Sequence, residues 1–284
     1  MSDLCWLNGK VVPLGDARIS VEDRGFQFAD GVYEVIRLYG GKPFAMDLHL
    51  HRLKNSCEGL QLPMPMPAEE LARQMSSLVK QTGIGEGLIY LQVTRGSAPR
   101  SHVFPAKSSP TVLFYTRSLT AVEPPDRSVG LSLKSVPDER WRRCWVKAIG
   151  LTANVLARNA AAEAGADEAV FVDNGIVSEC SSSNVFFVVE GKLVTHPVGP
   201  HVLPGVTRAV VIECANKLDI EVRESPPRIV EAKNAQEIFI TSTTRQIEWV
   251  GKWDGQPVGG GRCGPVTMRL HAALEEYIRR DLGK

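Results

Sequence analysis

The chain has 284 residues, 43% of them apolar, and its 33 basic and 32 acidic side chains leave a formal net charge of +1. Charge so evenly interspersed excludes nucleic acid or an anionic membrane surface as the main partner on electrostatic grounds. No apolar stretch approaches the roughly 20 residues of a membrane span, so neither a membrane nor a nucleic acid is an expected partner.

In chain order, Asn8-Gly9 between short apolar segments predicts a two-residue hairpin. Residues 31–39 alternate and are rich in β-branched and aromatic side chains, which predicts a strand turned by Gly40-Gly41. Asp47 is placed to cap a helix over 48–58, which carries Arg52. A second helix is predicted over 67–81, with Pro67 in its first turn and Gly83 ending it. Strands over 88–94 and 111–116 flank a polar loop, 95–110. Residues 119–127, with Pro124-Pro125-Asp126, read as a linker between two regions of different pattern. Strands over 130–136 and 144–149 follow, then an Ala-rich helix over 152–164 closed by Gly165. Next comes a meander: 169–173 turns at Asn174-Gly175 into 176–178, and 185–189 turns at Glu190-Gly191 into 192–195. Leu203-Pro204-Gly205-Val206-Thr207 leads into a helix reaching Leu218. A strand over 237–241 ends in Ser242-Thr243-Thr244, and a helix over 265–281 closes the chain. The fold class is α+β: domains over 1–118 and 128–284, joined by 119–127, with mostly antiparallel sheets and helices packed on them.

The opening residues have no basic n-region and no apolar h-region, so a secretory leader is not expected. Six cysteines, scattered without a Cys-x-x-Cys pair, read as reduced packing residues of a cytoplasmic protein. The six histidines form no ligand-like cluster with them, and His49 and His51, two apart, point to different faces of a helix. No metal is expected.

Lys147 stands inside the apolar run Cys144-Trp145-Val146-Lys147-Ala148-Ile149. A strand of that composition buries both faces, and desolvation there disfavours the ammonium form. Two readings are open. The ammonium can reach water from a strand end, or the neutral amine can serve as a nucleophile that makes Schiff bases with carbonyl compounds. Glu179 follows a strand and precedes Ser181-Ser182-Ser183-Asn184, which offers hydroxyls and amides but no core; a solvated loop is the plainer reading. Val206-Thr207 opens a helix after Pro204-Gly205, and free N–H groups there, with threonine hydroxyls, make a ready phosphate site. Thr243 at a strand end and the Arg52 guanidinium can add to it. An amine, a carboxylate and a phosphate cradle are the parts that a pyridoxal phosphate enzyme needs.

The order of these pieces resembles the fold-type IV pyridoxal phosphate enzymes, and within them the D-amino acid aminotransferase (D-alanine transaminase) branch. The resemblance spans nearly the whole chain. It is carried by the run from Arg24-Gly25-Phe26-Gln27-Phe28 through Ala29-Asp30-Gly31-Val32-Tyr33-Glu34, by Val93-Thr94-Arg95-Gly96, by residues 143–149 and 179–186, and by Pro204-Gly205-Val206-Thr207-Arg208 and Thr241-Ser242-Thr243-Thr244. It implies that Lys147 holds pyridoxal 5'-phosphate as a Schiff base and shuttles the proton between Cα and C4′. It implies that Glu179 lies against the pyridine nitrogen and keeps it protonated. Arg52, the Val206 and Thr207 amides, the Thr207 hydroxyl and Thr243 then hold the phosphate, and Leu203 supports the ring face.

This fold hosts several chemistries, so the cofactor residues alone do not decide the reaction. The discriminating segment is the loop from Arg95 to His102. Branched-chain aminotransferases carry Phe-Glu-Gly where this chain has Tyr33-Glu34-Val35, whereas the D-amino acid enzymes carry an Arg-x-His pair and a tyrosine. The resemblance implies that Arg100, His102 and Tyr33 trap the substrate α-carboxylate, a guanidinium fork, an imidazole and a phenol converging on one anion. Without it, Arg100 and His102, bracketed by Pro99 and Pro105, read as a solvated loop. The expected activity is ping-pong transamination between D-amino acids (D-alanine, D-glutamate or D-aspartate) and 2-oxo acids such as pyruvate and 2-oxoglutarate. The alternatives are an aminodeoxychorismate lyase, against which the Arg100/His102 pair argues, a branched-chain L-amino acid aminotransferase, and a non-catalytic binder of the cofactor. The resemblance also implies a homodimer in which each chain lends Arg100 and His102 to its partner's site.

Overall fold

The computed structural model describes residues 3–107, 109–122 and 129–283. The chain divides into two compact units, one comprising Met1–Ala121 with Val146–Gly150, the other Val122–Trp145 with Leu151–Lys284.

In the first unit, β1 (Leu4–Leu7) and β2 (Lys10–Pro13) meet at Asn8-Gly9, whose φ values of 47° and 92° make the mirror-image turn that suits a twisted hairpin. There follow α1 (Arg24–Phe28), β3 (Gly31–Tyr39), β4 (Lys42–Pro43), α2 (Met46–Gly59), α3 (Ala68–Thr82), β5 (Gly87–Thr94) and β6 (Thr111–Ser118). The sheet order is β2-β1-β6-β5-β3-β4, antiparallel throughout, with β3 and β5 in register from Gly31 opposite Thr94 to Leu38 opposite Gly87. Ile89, Leu91 and Val93 of β5 are buried in strict alternation, as a sheet with one helix-covered face requires, and α2 and α3 pack on this sheet. The intervening positions Leu88, Tyr90 and Gln92 are half-buried, and Tyr90 joins an aromatic row. Tyr33 stacks on Tyr90 at 5.8 Å between centroids, and Tyr90 on Tyr115 at 5.2 Å.

The second unit contains β7 (Leu131–Pro137), α4 (Thr152–Glu163), β8 (Glu168–Asp173), β9 (Ile176–Cys180), β10 (Asn184–Val189), β11 (Lys192–Thr195), α5 (Val206–Lys217), β12 (Val222–Glu224), α6 (Ile229–Lys233), β13 (Glu237–Ser242), β14 (Gln246–Trp253), β15 (Gln256–Pro257) and α7 (Pro265–Asp281). One sheet in the order β12-β11-β10-β13-β14-β7-β8-β9 runs through it, with β15 paired to β14. Most pairs are antiparallel; β7 is parallel to both β14 and β8, and β11 is parallel to β12. Val170, Val177, Phe187, Ile238, Ile240 and Trp253 centre its core.

Several local expectations need correction. The run 144–149 is not a strand. Ala148 donates to the Val146 carbonyl at 2.8 Å, so the backbone makes a three-residue turn with Lys147 at its apex. On either side, Tyr33 donates to the Lys147 carbonyl and Ile149 to the Gly31 carbonyl, at 3.0 and 3.1 Å. The turn thereby attaches to the outer edge of β3, and Val146–Gly150 belongs to the first unit rather than to the C-terminal region. Lys147 itself is half-buried, not enclosed on both faces. Most of the expected linker, residues 123–127, lies outside the described residues. Helix α2 starts earlier than expected, at Met46 after Ala45 at φ 51°; Asp47 sits in its first turn, where it complements the helix dipole without capping. Pro67 precedes α3 as its cap residue, and Gly83 ends that helix at φ 66°. Glu179 lies inside β9, not after it.

Candidate active site

In the first unit, the turn at Lys147 is anchored by its own N–H, which donates to Ser56 Oγ of α2 at 3.1 Å. Its Nζ lies 4.1 Å from the centroid of the Tyr33 ring on β3. Contact with the tyrosine ring restrains the side chain there. Helix α2 also carries Arg52, whose Nε and Nη2 donate to the two Glu34 oxygens at 2.8 and 2.7 Å. His49 Nδ1 lies 2.8 Å from the same carboxylate. Burial alone would raise the fully enclosed Glu34 carboxyl, but Arg52 and His49 hold it down at about 2. Burial pushes the His49 imidazole below its usual value, against the pull of Glu34. The Arg52 charge that the sequence offers to a phosphate is thus already paired with Glu34, a partnership the sequence did not suggest.

Arg100 and His102 are exposed, and both gather on the Phe28 ring at the end of α1. The Arg100 guanidinium stands 4.4 Å from its centroid and the His102 ring 5.5 Å.

The second unit supplies the carboxylate and the helix start. Glu179 is 5% exposed. Its Oε1 accepts from Arg140 Nη1 at 2.5 Å, and its Oε2 from Asn184 Nδ2 at 2.9 Å and the Leu203 N–H at 3.1 Å. Arg140 also donates from Nε and Nη2 to the two Asp138 oxygens, at 2.9 and 2.8 Å. One guanidinium therefore faces two enclosed carboxylates. Burial drives Glu179 up to about 7 despite Arg140, whereas Arg140 and Ser178 hold Asp138 below its usual value against its own burial. Leu203, half-buried, leads through Pro204-Gly205 to α5, whose first turn has no side-chain cap and begins with the buried Val206 and Thr207. Gly205 is required sterically: a Cβ there would stand 2.0 Å from Asn184 Oδ1. Thr243 is half-buried in the turn after β13, and the nearby Thr241 hydroxyl is buried with no hydrogen-bond partner among the described residues. The serine run is not a solvated loop, because Ser181 and Ser182 both donate to the buried Glu168.

Arg140 and Asp138 were missed in the sequence, and Asn184 was read only as part of the serine run, without its hydrogen bond to Glu179. Asp138-Glu139-Arg140 precedes Trp141-Arg142-Arg143 and reads as charged surface; the only signal was two acids beside an arginine on the same approach to Lys147.

The profile of the Amino-transferase class IV family matches residues 31–253. The chain belongs to the class IV aminotransferases. Among the relatives of this class IV aminotransferase, the D-alanine aminotransferase of Bacillus licheniformis is 38% identical over 277 residues, 98% of either chain. That of Listeria innocua is 40% identical over 281 residues, 98% of this chain and 97% of the other. Among solved structures, the branched-chain amino acid aminotransferase of Escherichia coli superposes with a TM-score of 0.90 at 28% identity, covering 98% of this chain and 95% of that one. The T.th. branched-chain enzyme, solved with pyridoxamine 5'-phosphate, also gives 0.90, at 29% identity over 99% and 95%. The α+β, fold-type IV architecture expected from the sequence is therefore the one found.

Class IV aminotransferases depend on pyridoxal 5'-phosphate, and the residues of each unit fit it. The first unit offers an amine on a turn apex. The second offers an uncapped helix start with a threonine hydroxyl, which suits a phosphate. It also holds two buried carboxylates against one guanidinium, a surplus of negative charge that a protonated pyridine nitrogen would balance. Among the described residues, no group of three or more His, Cys, Asp or Glu side chains could hold a metal ion, and no helix is long and apolar enough to cross a membrane.

Proposed function

We propose that this aminotransferase moves amino groups between D-amino acids of the D-alanine, D-glutamate and D-aspartate type and 2-oxo acids such as pyruvate and 2-oxoglutarate, in ping-pong order. The observation that carries the proposal is the 38–40% identity to D-alanine aminotransferases along nearly the whole chain, which the Arg100-Ser101-His102 triplet supports. Bound pyridoxal phosphate supplies an electron sink that lets the Cα–H of an amino acid ionise. Lys147 Nζ is the amine that would hold that cofactor and would carry the proton at substrate Cα; its place at a turn apex over Tyr33 limits the arc through which it swings. Glu179 keeps a proton on the pyridine nitrogen, and Arg140 and Asn184 fix the carboxylate for that task. The Val206 and Thr207 amides, the Thr207 and Thr243 hydroxyls and Arg52 bind the phosphate, and Leu203 bounds the ring face. Tyr33, Arg100 and His102 bind the substrate α-carboxylate.

We further propose a cytoplasmic homodimer in which each chain completes its partner's site with Arg100 and His102. Their exposure supports this, as do the six free cysteines for the compartment. A branched-chain L-amino acid aminotransferase is the second reading, drawn from the likeness to solved structures; their 28–29% identity is the weaker support. The deciding experiment mixes holoenzyme with D-alanine or L-alanine in single turnover and follows pyruvate release and conversion of the cofactor to its pyridoxamine form. Conversion by D-alanine at least tenfold faster than by L-alanine is expected; a preference for L-amino donors would overturn the reading.

A further inference from the structure

We infer that Arg24, Phe28 and Asp30 form a clamp that holds Arg100 and His102 in place and thereby sets the enzyme's affinity for the substrate carboxylate. The inference rests on the role proposed for Arg100 and His102, and all five residues belong to the first unit. Arg24 is 3% exposed. Its Nε donates to Asp30 Oδ2 at 2.8 Å, and its Nη1 to the carbonyl oxygen of Ser101, the residue between Arg100 and His102, at 2.5 Å. Asp30 also receives Arg95, from Nε at 2.8 Å and from Nη2 at 3.0 Å. Arg95 donates onward to the Gln61 and Leu60 carbonyls at 2.9 and 2.8 Å, and its guanidinium lies 3.7 Å from the Phe104 ring centroid. One carboxylate therefore pins the stretch at two points, through Arg24 at Ser101 and through Arg95 at Phe104.

Phe28 is the platform. Arg24 lies 4.9 Å and Arg100 4.4 Å from its centroid, with the His102 ring at 5.5 Å. Two guanidinium groups repel each other, and the ring they share, with the Asp30 carboxylate on Arg24, offsets that repulsion. Burial works to raise the Asp30 carboxyl, but Arg95 and Arg24 bring it below its usual value, so it stays charged at neutral pH. An exposed arginine on an unclamped loop samples many rotamers, and each must be frozen when substrate binds; a loop already fixed loses less entropy at that moment. Arg24, Phe28 and Asp30 act through Arg100 and His102, and so are positioning residues.

The test uses holoenzyme carrying Arg24→Met, Arg24→Lys or Phe28→Leu, with Arg100→Ala as the reference. Two quantities are read: KM and kcat for D-alanine, and the rate at which trypsin nicks the native enzyme after Arg100, followed by mass spectrometry. For Arg24→Met, KM rises by about tenfold or more, the scale of one lost charge-assisted hydrogen bond, while kcat falls less than KM rises. Nicking after Arg100 accelerates severalfold. Arg24→Lys, which keeps the charge but not the fork, recovers part of both effects. Unchanged nicking in Arg24→Met overturns the clamp, as does a parental KM where Arg100→Ala raises KM. If Arg100→Ala itself leaves KM at the parental value, the carboxylate reading fails, and nicking alone then decides the clamp. Should Arg24→Met not fold, Phe28→Leu answers both questions, since a half-buried ring exchanged for leucine keeps the local packing.

Discussion

At the residue scale, the proposed transamination rests most heavily on Lys147 and Glu179. Lys147→Ala should lower turnover of D-alanine with 2-oxoglutarate by about a thousandfold or more while circular dichroism stays native, since both a nucleophile and a base are removed; near-parental turnover would refute its role. Glu179 offers a titration test. Its folded carboxyl sits at about 7 against an ordinary 4.5. A group raised in this way contributes stability that is fully present below about pH 4.5 and is lost as pH rises through 7. Glu179→Gln cannot ionise, so in cofactor-free protein its stability relative to the parent should improve between about pH 5 and pH 8, by a few kcal/mol at most. Urea titrations at the two pH values read the difference, and a gap that narrows or stays flat would show that burial does not govern this carboxyl. As an oddity of the sequence Lys147 was legible, because an amine within an apolar run is chemically out of place. Its turn was not, because a single i to i+2 bond leaves no periodic trace in composition. Arg140 was illegible for a related reason: its enclosure depends on Asp138 and Glu179, and nothing in a local charged run reveals a partner from a distant strand.

Among the elements, those with a strong local signature appear where expected. Asn8-Gly9, Gly40-Gly41, Asn174-Gly175 and Glu190-Gly191 all turn at positive φ, because glycine, and asparagine where it precedes, adopts that region at little steric cost. Helix α1 went unseen because one turn containing glycine and two phenylalanines cannot show a helical period, and β14 because Glu248, Gly251 and Lys252 break its apolar pattern. Two joints between elements can be tested. Glu34 ties β3 to α2 by accepting from Arg52 and pairing with His49. Glu34→Ala removes the carboxylate that accepts two hydrogen bonds from a buried guanidinium and should cost about 3–5 kcal/mol in chemical denaturation; a loss below about 1 kcal/mol would mean that the pair is not a structural tie. Gly205→Ala drives a methyl against Asn184 Oδ1 at the start of α5. The strain should cost about 1–3 kcal/mol and weaken cofactor retention, measured by equilibrium dialysis, because Asn184 also holds Glu179 and the Leu203 carbonyl. Unaltered retention would separate that helix start from the cofactor.

For the whole molecule, the proposed exchange of Arg100 and His102 between protomers makes activity a property of the pair. Lys147→Ala chains and Arg100→Ala chains, each inactive or severely impaired alone, should recover activity when dissociated and reassembled together, because one hybrid site combines intact Lys147 with intact Arg100. No recovery in a verified hybrid would place both residues in the same chain's site. A different consequence follows from the way residues 146–150 return to the first unit, where they cover the outer edge of β3 at Gly31 and Tyr33. During synthesis the ribosome completes Ala121 and must then make almost thirty further residues, a matter of a few seconds at ordinary elongation rates, before that edge receives its cover. For this interval the nascent first unit displays open strand hydrogen bonds, the feature that templates edge-to-edge association. A polypeptide stopped at Ala121 is therefore expected to self-associate, whereas one that also carries a tethered copy of residues 146–150 is expected to remain dispersed.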